Sequence, residues 1–234
     1  MAHQEPVLNG LAVTGLRFYG RRKGRPLRNS MKRLLDETLP KFSFDPAISI
    51  NTQFGRHVDC YLEIGFGGGE HLAGLAAAMP ESDFIGAEPF VNGVASLLRY
   101  IDEKQLSNIR IWPDDVRLIL SAIGTASLAG VYIMFPDPWP KRRHAGRRIL
   151  QPAILDQLAM MIRPGGSLVL ASDDPAAKSW ILRAMIPHFG FVWTARRPAD
   201  WRQRPTDFPA TRYMKKADQA ARKSSWFHFR RCTG

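Results

Sequence analysis

Short apolar runs alternate with longer segments of helical periodicity along the chain from residue 58 onward. Residues 58–64 form an apolar run that ends in glycines, and residues 70–79 are rich in Ala and Leu until Pro80 ends the segment. This order predicts a strand, a glycine turn and a helix. The same alternation predicts strands at 58–64, 83–87, 109–112, 130–135, 167–171, 191–194 and 226–230, and helices at 70–79, 92–103, 115–123, 152–162 and 176–186.

Strands that alternate with helices in this way are typical of a doubly wound α/β fold, so we expect one mainly parallel, seven-stranded sheet. Ligands of such sheets bind beyond the carboxyl ends of the strands. The residues that follow the strands are therefore the candidates for function. They are residues 63–69, 88, 114–115, 136–144 and 172–174.

A glycine-rich turn at the end of the first predicted strand contains Glu63, Gly65 and Gly67. Glycines let a ligand approach the backbone closely. A dinucleotide-binding turn would need its third glycine at the position of Glu70, which is a poor neighbour for a pyrophosphate. The spacing better suits S-adenosylmethionine, because this ligand is cationic and Glu63 can hold its ammonium end. The alternative is a tight strand-to-helix connection without a ligand.

Acidic side chains also end the next two predicted strands. Glu88 lies where a carboxylate would accept hydrogen bonds from ribose hydroxyls, and Asp114 and Asp115 lie where one would accept from the adenine amino group. Each of these residues could instead cap the helix that follows, and for the two aspartates both interpretations stay open. Acidic residues at three successive strand ends favour a cationic ligand.

The fourth predicted strand leads into the segment Pro-Asp137-Pro-Trp139-Pro and then into a basic run. The prolines restrict the backbone, so the Asp137 carboxylate and the Trp139 ring project with little freedom. A rigid carboxylate and an aromatic ring beside a methyl donor, with cations next to them, fit alkylation of a base within RNA. A proline-rich turn before a solvated helix start is the alternative. The candidate RNA-binding residues of the run are Arg142, Arg143, Arg147 and Arg148.

The charge is segregated along the 234 residues, whose net charge is +12. Residues 1–33 hold 8 basic and 1 acidic side chain, residues 34–140 hold 6 and 14, and residues 196–234 hold 11 and 3. Basic ends around an acidic centre predict a single catalytic domain at 34–234 and a flexible RNA-binding arm at 1–33, although a merely solubilising surface is the alternative. The candidate RNA-binding residues of the arm are Arg21, Arg22, Arg25 and Arg28.

Composition argues against several classes of protein. No stretch approaches the roughly 18 consecutive apolar residues of a membrane span, and residues 1–6 lack the pattern of a secretion signal, so we expect a cytoplasmic protein. Cys60 and Cys232 form no Cys-x-x-Cys pair, so we expect neither a disulfide framework nor a metal site. Trp201 and Phe208 lie in a polar, basic segment and are candidates either for stacking on bases or for the core.

From about residue 16 to its C-terminus, the sequence resembles the bacterial tRNA (guanine-N7)-methyltransferases. Residues 62–67 resemble the first motif of that family. The resemblance implies a Rossmann-like class I methyltransferase that transfers a methyl group from S-adenosylmethionine to N7 of a guanosine in tRNA, in its variable loop. The most distinctive family motif is similar to residues 135–139 together with Lys141, His144, Arg147 and Arg148.

The resemblance also implies roles for single residues. Asp137 would be the active-site acid, while Lys141 and Asp173 would contact the substrate. Within the cofactor motifs, the residues implied to bind S-adenosylmethionine are Glu63, Gly65, Gly67, Glu88, Asp115 and Asp137. A further substrate motif is similar to Thr211, Arg212 and Tyr213, but Met214 stands where the family pattern has Glu.

Three functional interpretations remain open. The first is a tRNA methyltransferase. The second is a relative that binds tRNA without turnover, because Met214 replaces a carboxylate. The third is a methyltransferase for small molecules, which would have no use for the basic ends. The sequence favours neither a monomer nor a homodimer.

Overall fold

A computed structural model describes residues 18–206, 208–209 and 222–233 of the chain. These residues contain seven strands: β1 Cys60–Ile64, β2 Asp83–Ala87, β3 Ile109–Trp112, β4 Leu128–Met134, β5 Ile162–Ser172, β6 Phe191–Trp193 and β7 Ser225–Arg231. They form one sheet in the order β3-β2-β1-β4-β5-β7-β6. The first five strands are parallel, and β7 runs antiparallel to β5 and β6. The predicted mainly parallel, seven-stranded sheet is confirmed.

The helices pack in two cores that the sheet separates. Alternate residues of β5 enter different cores, because side chains of a strand point to opposite faces. Leu168 packs in the same core as Leu158 and Trp180, whereas Val169 packs in the same core as Leu72. The helices are α1 Asn29–Arg33, α2 Leu39–Phe42, α3 Ile50–Phe54, α4 Glu70–Ala78, α5 Val91–Lys104, α6 Pro152–Met161, α7 Pro175–Met185 and α8 Ala199–Arg202.

Two predicted elements differ from the structure. The helix expected at 115–123 is two short 3-10 helices, Val116–Leu118 and Leu120–Ala122, which Ile119 joins with φ −118° and ψ −5°. The strand expected at 167–171 is longer and starts at Ile162, which pairs with Leu128 and is buried. The pairing register with β4 shifts between Leu128 and Gly130, and Gly165 of β5 has a φ of +75°.

Residues 18–28 contain neither helix nor strand, and they contact the start of α5. The backbone N–H of Gly24 donates to Oδ1 of Asn92 at 2.8 Å, and Nδ2 of Asn92 donates to the carbonyl of Arg25 at 2.8 Å. The N–H of Val91 donates to the carbonyl of Arg22 at 3.0 Å. The described part of the predicted arm is therefore attached to the start of α5. The division at residue 33 stays a prediction.

None of the helices in the described part of the chain is long and apolar enough to cross a membrane.

Candidate active site

A cavity of about 620 Å³ opens at the carboxyl edge of the sheet, between the ends of β1, β2 and β4. This is the point where the strand order reverses, with β2 on one side of β1 and β4 on the other. The predicted cofactor residues that line the cavity are Gly65, Gly67, Glu88, Asp115 and Asp137. Residues from four separate predicted motifs thus share one space.

The glycine turn after β1 leaves room for a ligand. Gly65 has a φ of +74°, and no described atom lies within 4 Å of the place where a Cβ would be. Gly67 also has a positive φ, and a Cβ on Gly93 of α5 would overlap its carbonyl oxygen. Glycine at 93 therefore lets α5 approach the turn closely, and glycine at 65 keeps the cavity wall open.

Glu88, which follows β2, accepts hydrogen bonds from two backbone N–H groups of the cavity wall. Its Oε2 accepts from the N–H of Gly67 at 2.7 Å, and its Oε1 accepts from the N–H of Phe90 at 2.9 Å. The residue is only 8% exposed. Desolvation is the largest cause that raises the pKa of the Glu88 carboxyl, the two hydrogen bonds oppose it, and the nearby Asp137 adds to the rise.

The two aspartates after β3 have different surroundings. Asp115 lines the cavity, caps the 3-10 helix by accepting from the N–H of Arg117 at 3.0 Å, and forms a salt bridge with the guanidinium of Arg117 at 2.5 Å. Asp114 pairs with Arg22 at 2.8 Å. The geometry is compatible with both interpretations of Asp115, because the residue caps a helix and also faces the cavity. Asp115 lines the candidate adenine site, whereas Asp114 does not.

Glu63 lies beneath the glycine turn and outside the cavity lining. It is 1% exposed, and its Oε2 lies 2.8 Å from Nδ1 of His71 on α4. His71 is itself buried and packs edge-on against the rings of Tyr132 and Phe208. The structure therefore joins Glu63 to His71, a partner that the spacing of the glycine motif does not reveal.

The Pro-Asp-Pro-Trp loop starts and ends in the left-handed region of φ, with +51° at Phe135 and +38° at Trp139. The N–H of Phe135 donates to the carbonyl of Ala171 at 2.8 Å, which ties the start of the loop to β5. Asp137 is exposed at the cavity mouth. This arrangement presents its carboxylate to a substrate that arrives from solvent.

Arg147 lies between two aromatic rings at the cavity wall. Its guanidinium carbon is 4.4 Å from the ring centroid of Tyr19 and 5.0 Å from that of Trp139. Both distances fit cation–π contacts. Tyr19 and Arg21 line the same cavity, so the N-terminal segment forms part of the site. Sequence reasoning missed Tyr19, because nothing in the chain order places residue 19 beside residue 147.

The other predicted RNA-binding and substrate residues fall into four groups. Exposed cations form the first group: Lys141, Arg142 and Arg143 after the loop, and Arg22, Arg25 and Arg28 in the N-terminal segment. Arg148 is half-buried and donates to the carbonyl of Trp139. Asp173 follows β5 and accepts from Nε of Arg222 at 2.7 Å. The predicted substrate residues Thr211, Arg212, Tyr213 and Met214 lie outside the described residues.

Neighbouring groups restrict the charge of His144 in the basic run. Partial desolvation, followed by the positive charges of Arg147 and Arg143, lowers the pKa of its imidazole. These surroundings favour the neutral form of the ring, so the Lys and Arg side chains carry the positive charge of the run.

Of the two aromatic candidates for base stacking, Phe208 is a core residue and Trp201 is partly buried against the core. Phe208 is 5% exposed and packs against Tyr132, Trp226 and His228. Trp201 stacks on Phe227, with 11° between the ring planes. The stacking interpretation is therefore wrong for Phe208, because its ring is enclosed by four other rings.

No set of three His, Cys, Asp or Glu within the described ranges could hold a metal ion.

Comparison with known proteins identifies the family. A model of a putative methyltransferase family matches residues 58–226. A tRNA (guanine-N(7)-)-methyltransferase from Rhodospirillum rubrum is 50% identical over an alignment of 223 residues that covers 92% of this chain and 88% of that protein. The chain belongs to the tRNA (guanine-N7)-methyltransferase family. A member from Nitrobacter hamburgensis is 42% identical, over 92% of this chain and 86% of its own. The resemblance seen in the sequence is confirmed.

Solved structures of more distant methyltransferases share the fold of this tRNA (guanine-N7)-methyltransferase family member. A 16S rRNA (adenine(1408)-N(1))-methyltransferase variant from Catenulisporales acidiphilia, solved with its cosubstrate SAM, has a TM-score of 0.57 at 12% identity and covers 81% of this chain and 92% of its own. The 16S rRNA methyltransferase KamB has a TM-score of 0.56 at 13% identity, with 79% and 95% covered. These similarities confirm the Rossmann-like class I methyltransferase fold.

Proposed function

We propose that this protein transfers a methyl group from S-adenosylmethionine to N7 of a guanosine in tRNA, in the variable loop. Family membership supports the reaction. The observation that carries the proposal is that one cavity joins the glycine turn, Glu88 and the Asp137 loop, with exposed cations at its mouth. A cofactor pocket and an entrance suited to a polyanion thus lie side by side.

The cavity residues fit S-adenosylmethionine. A volume of about 620 Å³ lies within the range of small-molecule sites, roughly 300–1,000 Å³. Gly65 leaves the backbone open to the ligand, and the carboxylates of Glu88, Asp115 and Asp137 suit a cation. When bound, S-adenosylmethionine supplies a methyl group whose bond to sulfur breaks as its bond to the guanine nitrogen forms.

Each cavity carboxylate has its own place in this proposal. Glu88 would accept from the ribose hydroxyls, and Asp115 would accept from the adenine amino group while its other lone pairs hold Arg117. Gly65 and Gly67 would face the amino acid end of the ligand. Glu63 would support the ligand site indirectly, because its carboxylate is buried against His71 below the glycine turn.

Asp137 would orient the guanine. N7 of guanine already has an in-plane lone pair, so the nucleophile needs no general base. A carboxylate that accepts from N1–H or the exocyclic amine fixes the base and favours the positive charge that develops on it. Holding two reactants in near-attack geometry can contribute about 7–11 kcal/mol, so positioning can supply most of the acceleration.

Cations around the mouth would hold the tRNA. We assign its phosphates to the exposed side chains of Arg21, Arg25, Arg142 and Arg143, and substrate contacts to Lys141 and Asp173. Asp173 already pairs with Arg222. Arg222 follows residues 210–221, the part of the sequence that contains Met214. A methyltransferase for small molecules would have no need of this basic entrance.

Labelled methyl transfer to an unmodified tRNA transcript tests the proposal. The expected result is label in the tRNA with the wild-type protein, and turnover lowered at least about a hundredfold in Asp137→Ala, with S-adenosylmethionine affinity in a calorimetric titration lowered far less than turnover. A protein that retains tRNA on a filter without labelling it would be the non-catalytic relative. An intact rate in Asp137→Ala would remove Asp137 from the mechanism.

A further inference from the structure

We propose that Trp180 and Arg148 are positioning residues that hold the Asp137 loop in its active shape, and that Arg148 binds no RNA phosphate. This inference rests on the proposed function, because it assigns a purpose to the loop geometry. Two hydrogen bonds carry it. Nε1 of Trp180 donates to the carbonyl of Pro138 at 3.0 Å, and Nη2 of Arg148 donates to the carbonyl of Trp139 at 3.0 Å.

The loop needs donors from outside itself. Pro136, Pro138 and Pro140 have no backbone N–H, so the segment has few donors with which to satisfy its own carbonyls. Trp139 has a φ of +38°, in the left-handed region that is strained for a residue with a side chain. Two carbonyls on either side of the Trp139 α-carbon are held from outside, which opposes relaxation of this conformation.

Trp180 is well placed to act as a fixed support. It lies on α7, is 6% exposed and packs in the core that also contains residues of α6. The helix begins directly after β5, where Oδ1 of Asp174 accepts from the N–H of Ala177 at 2.8 Å. The same helix therefore links the position of the Asp137 loop to Asp173, the residue that precedes the helix cap.

Arg148 is directed inward, unlike the start of its basic run. Its guanidinium carbon lies 5.7 Å from the ring centroid of Trp180, and its Nε is buried without a hydrogen-bond partner among the described residues. Arg142 and Arg143 of the same run are exposed. A guanidinium that is half-buried and already engaged with Trp139 is poorly placed to neutralise a phosphate.

Trp180→Phe tests the first hydrogen bond, and Trp193→Phe is its matched control. The indole N–H of Trp193 is also buried but has no partner among the described residues, so both variants lose an indole and only the first loses a hydrogen bond to the loop. We expect kcat to fall about three- to tenfold in Trp180→Phe, with the Kd of S-adenosylmethionine within about twofold of wild type. Trp193→Phe should keep the wild-type kcat.

Arg148→Gln tests the second hydrogen bond and separates the loop role from phosphate binding. We expect a lower kcat and an unchanged salt dependence of tRNA binding. Arg142→Gln, the comparison variant, should reduce the slope of log Kd against log salt by about one unit. An equal reduction of the slope in Arg148→Gln, with kcat intact, would overturn the inference for Arg148.

Hydrogen exchange provides a readout that needs no turnover. Amides in peptides covering residues 135–148 should exchange faster in Trp180→Phe than in the wild type or in Trp193→Phe. Equal exchange and equal kcat in the two Trp variants would overturn the inference while the proposed function stands. A wild-type protein that transfers no methyl group, yet shows the exchange difference, would contradict the proposed function and leave the support of the loop in place.

Discussion

Replacing Glu88 by Gln removes a charge from the cavity wall while keeping the shape of the side chain. The wild-type carboxylate accepts from the N–H groups of Gly67 and Phe90 at 2.7 and 2.9 Å. An amide has one acceptor oxygen only, so its NH2 group must face one of these two donors. Glu88→Gln therefore disturbs both the glycine turn and the proposed contact with the ribose.

The expected losses of cofactor affinity and of folding stability in Glu88→Gln follow from these contacts. Hydrogen bonds to a charged acceptor contribute about 1.5–3 kcal/mol, and leaving a buried donor unpaired costs about 1–3 kcal/mol. Loss of the charged contact to ribose alone corresponds to a Kd for S-adenosylmethionine that is about ten- to a hundredfold higher. The unpaired N–H should also lower the free energy of unfolding of the ligand-free protein by about 1–3 kcal/mol.

Isothermal titration with S-adenosylmethionine and urea denaturation measure the two effects separately. Glu81→Gln is the control, because Glu81 is exposed and precedes β2 at the opposite edge of the sheet. The control should bind the ligand like the wild type. A Kd for Glu88→Gln within about twofold of wild type would refute the assignment of Glu88 to the cofactor.

Three further predictions concern the same cavity. The affinity for S-adenosylmethionine should fall as the pH falls through the raised pKa of Glu88, because protonation removes the charged acceptor, and titrations of Glu88→Gln should show no such loss. Gly93→Ala should abolish ligand binding in the same titration, because the new methyl group would overlap the carbonyl of Gly67. Tyr19→Ala removes one of the two rings around Arg147 and should raise the KM for tRNA about two- to tenfold in steady-state kinetics; an unchanged KM would exclude this contact from the site.

Local sequence patterns were sufficient to predict the sheet and most of the predicted residues that line the cavity. Buried strands such as β4 are continuous apolar runs, and parallel strands bring their carboxyl ends to one edge, so Gly65, Glu88, Asp115 and Asp137 could be placed together from the sequence. The 3-10 helices after β3 were predicted as one helix, because buried apolar positions at similar spacing occur in both kinds of element.

Contacts between distant segments could not be predicted in this way. Phe208 lies in a polar segment but is enclosed by rings from α4, β4 and β7, and Arg148 belongs to a basic run but is held by the Asp137 loop and Trp180. The contact of Glu63 with His71 of the following helix is also absent from the spacing of the glycine motif, while the assignment of Glu63 to the ligand stays a prediction. In each case periodicity and spacing do not encode the tertiary partner of the side chain.

Identification of the methylated atom is the decisive test of methyl transfer to N7 of a tRNA guanosine. An unmodified tRNA transcript is incubated with the protein and S-adenosylmethionine, digested to nucleosides and analysed by mass spectrometry, and borohydride-induced cleavage maps the modified position. We expect 7-methylguanosine in the variable loop with the wild-type protein and none above background with Asp137→Ala. Methylation of another atom, or a tRNA that stays unmodified although the protein binds both ligands, would contradict it.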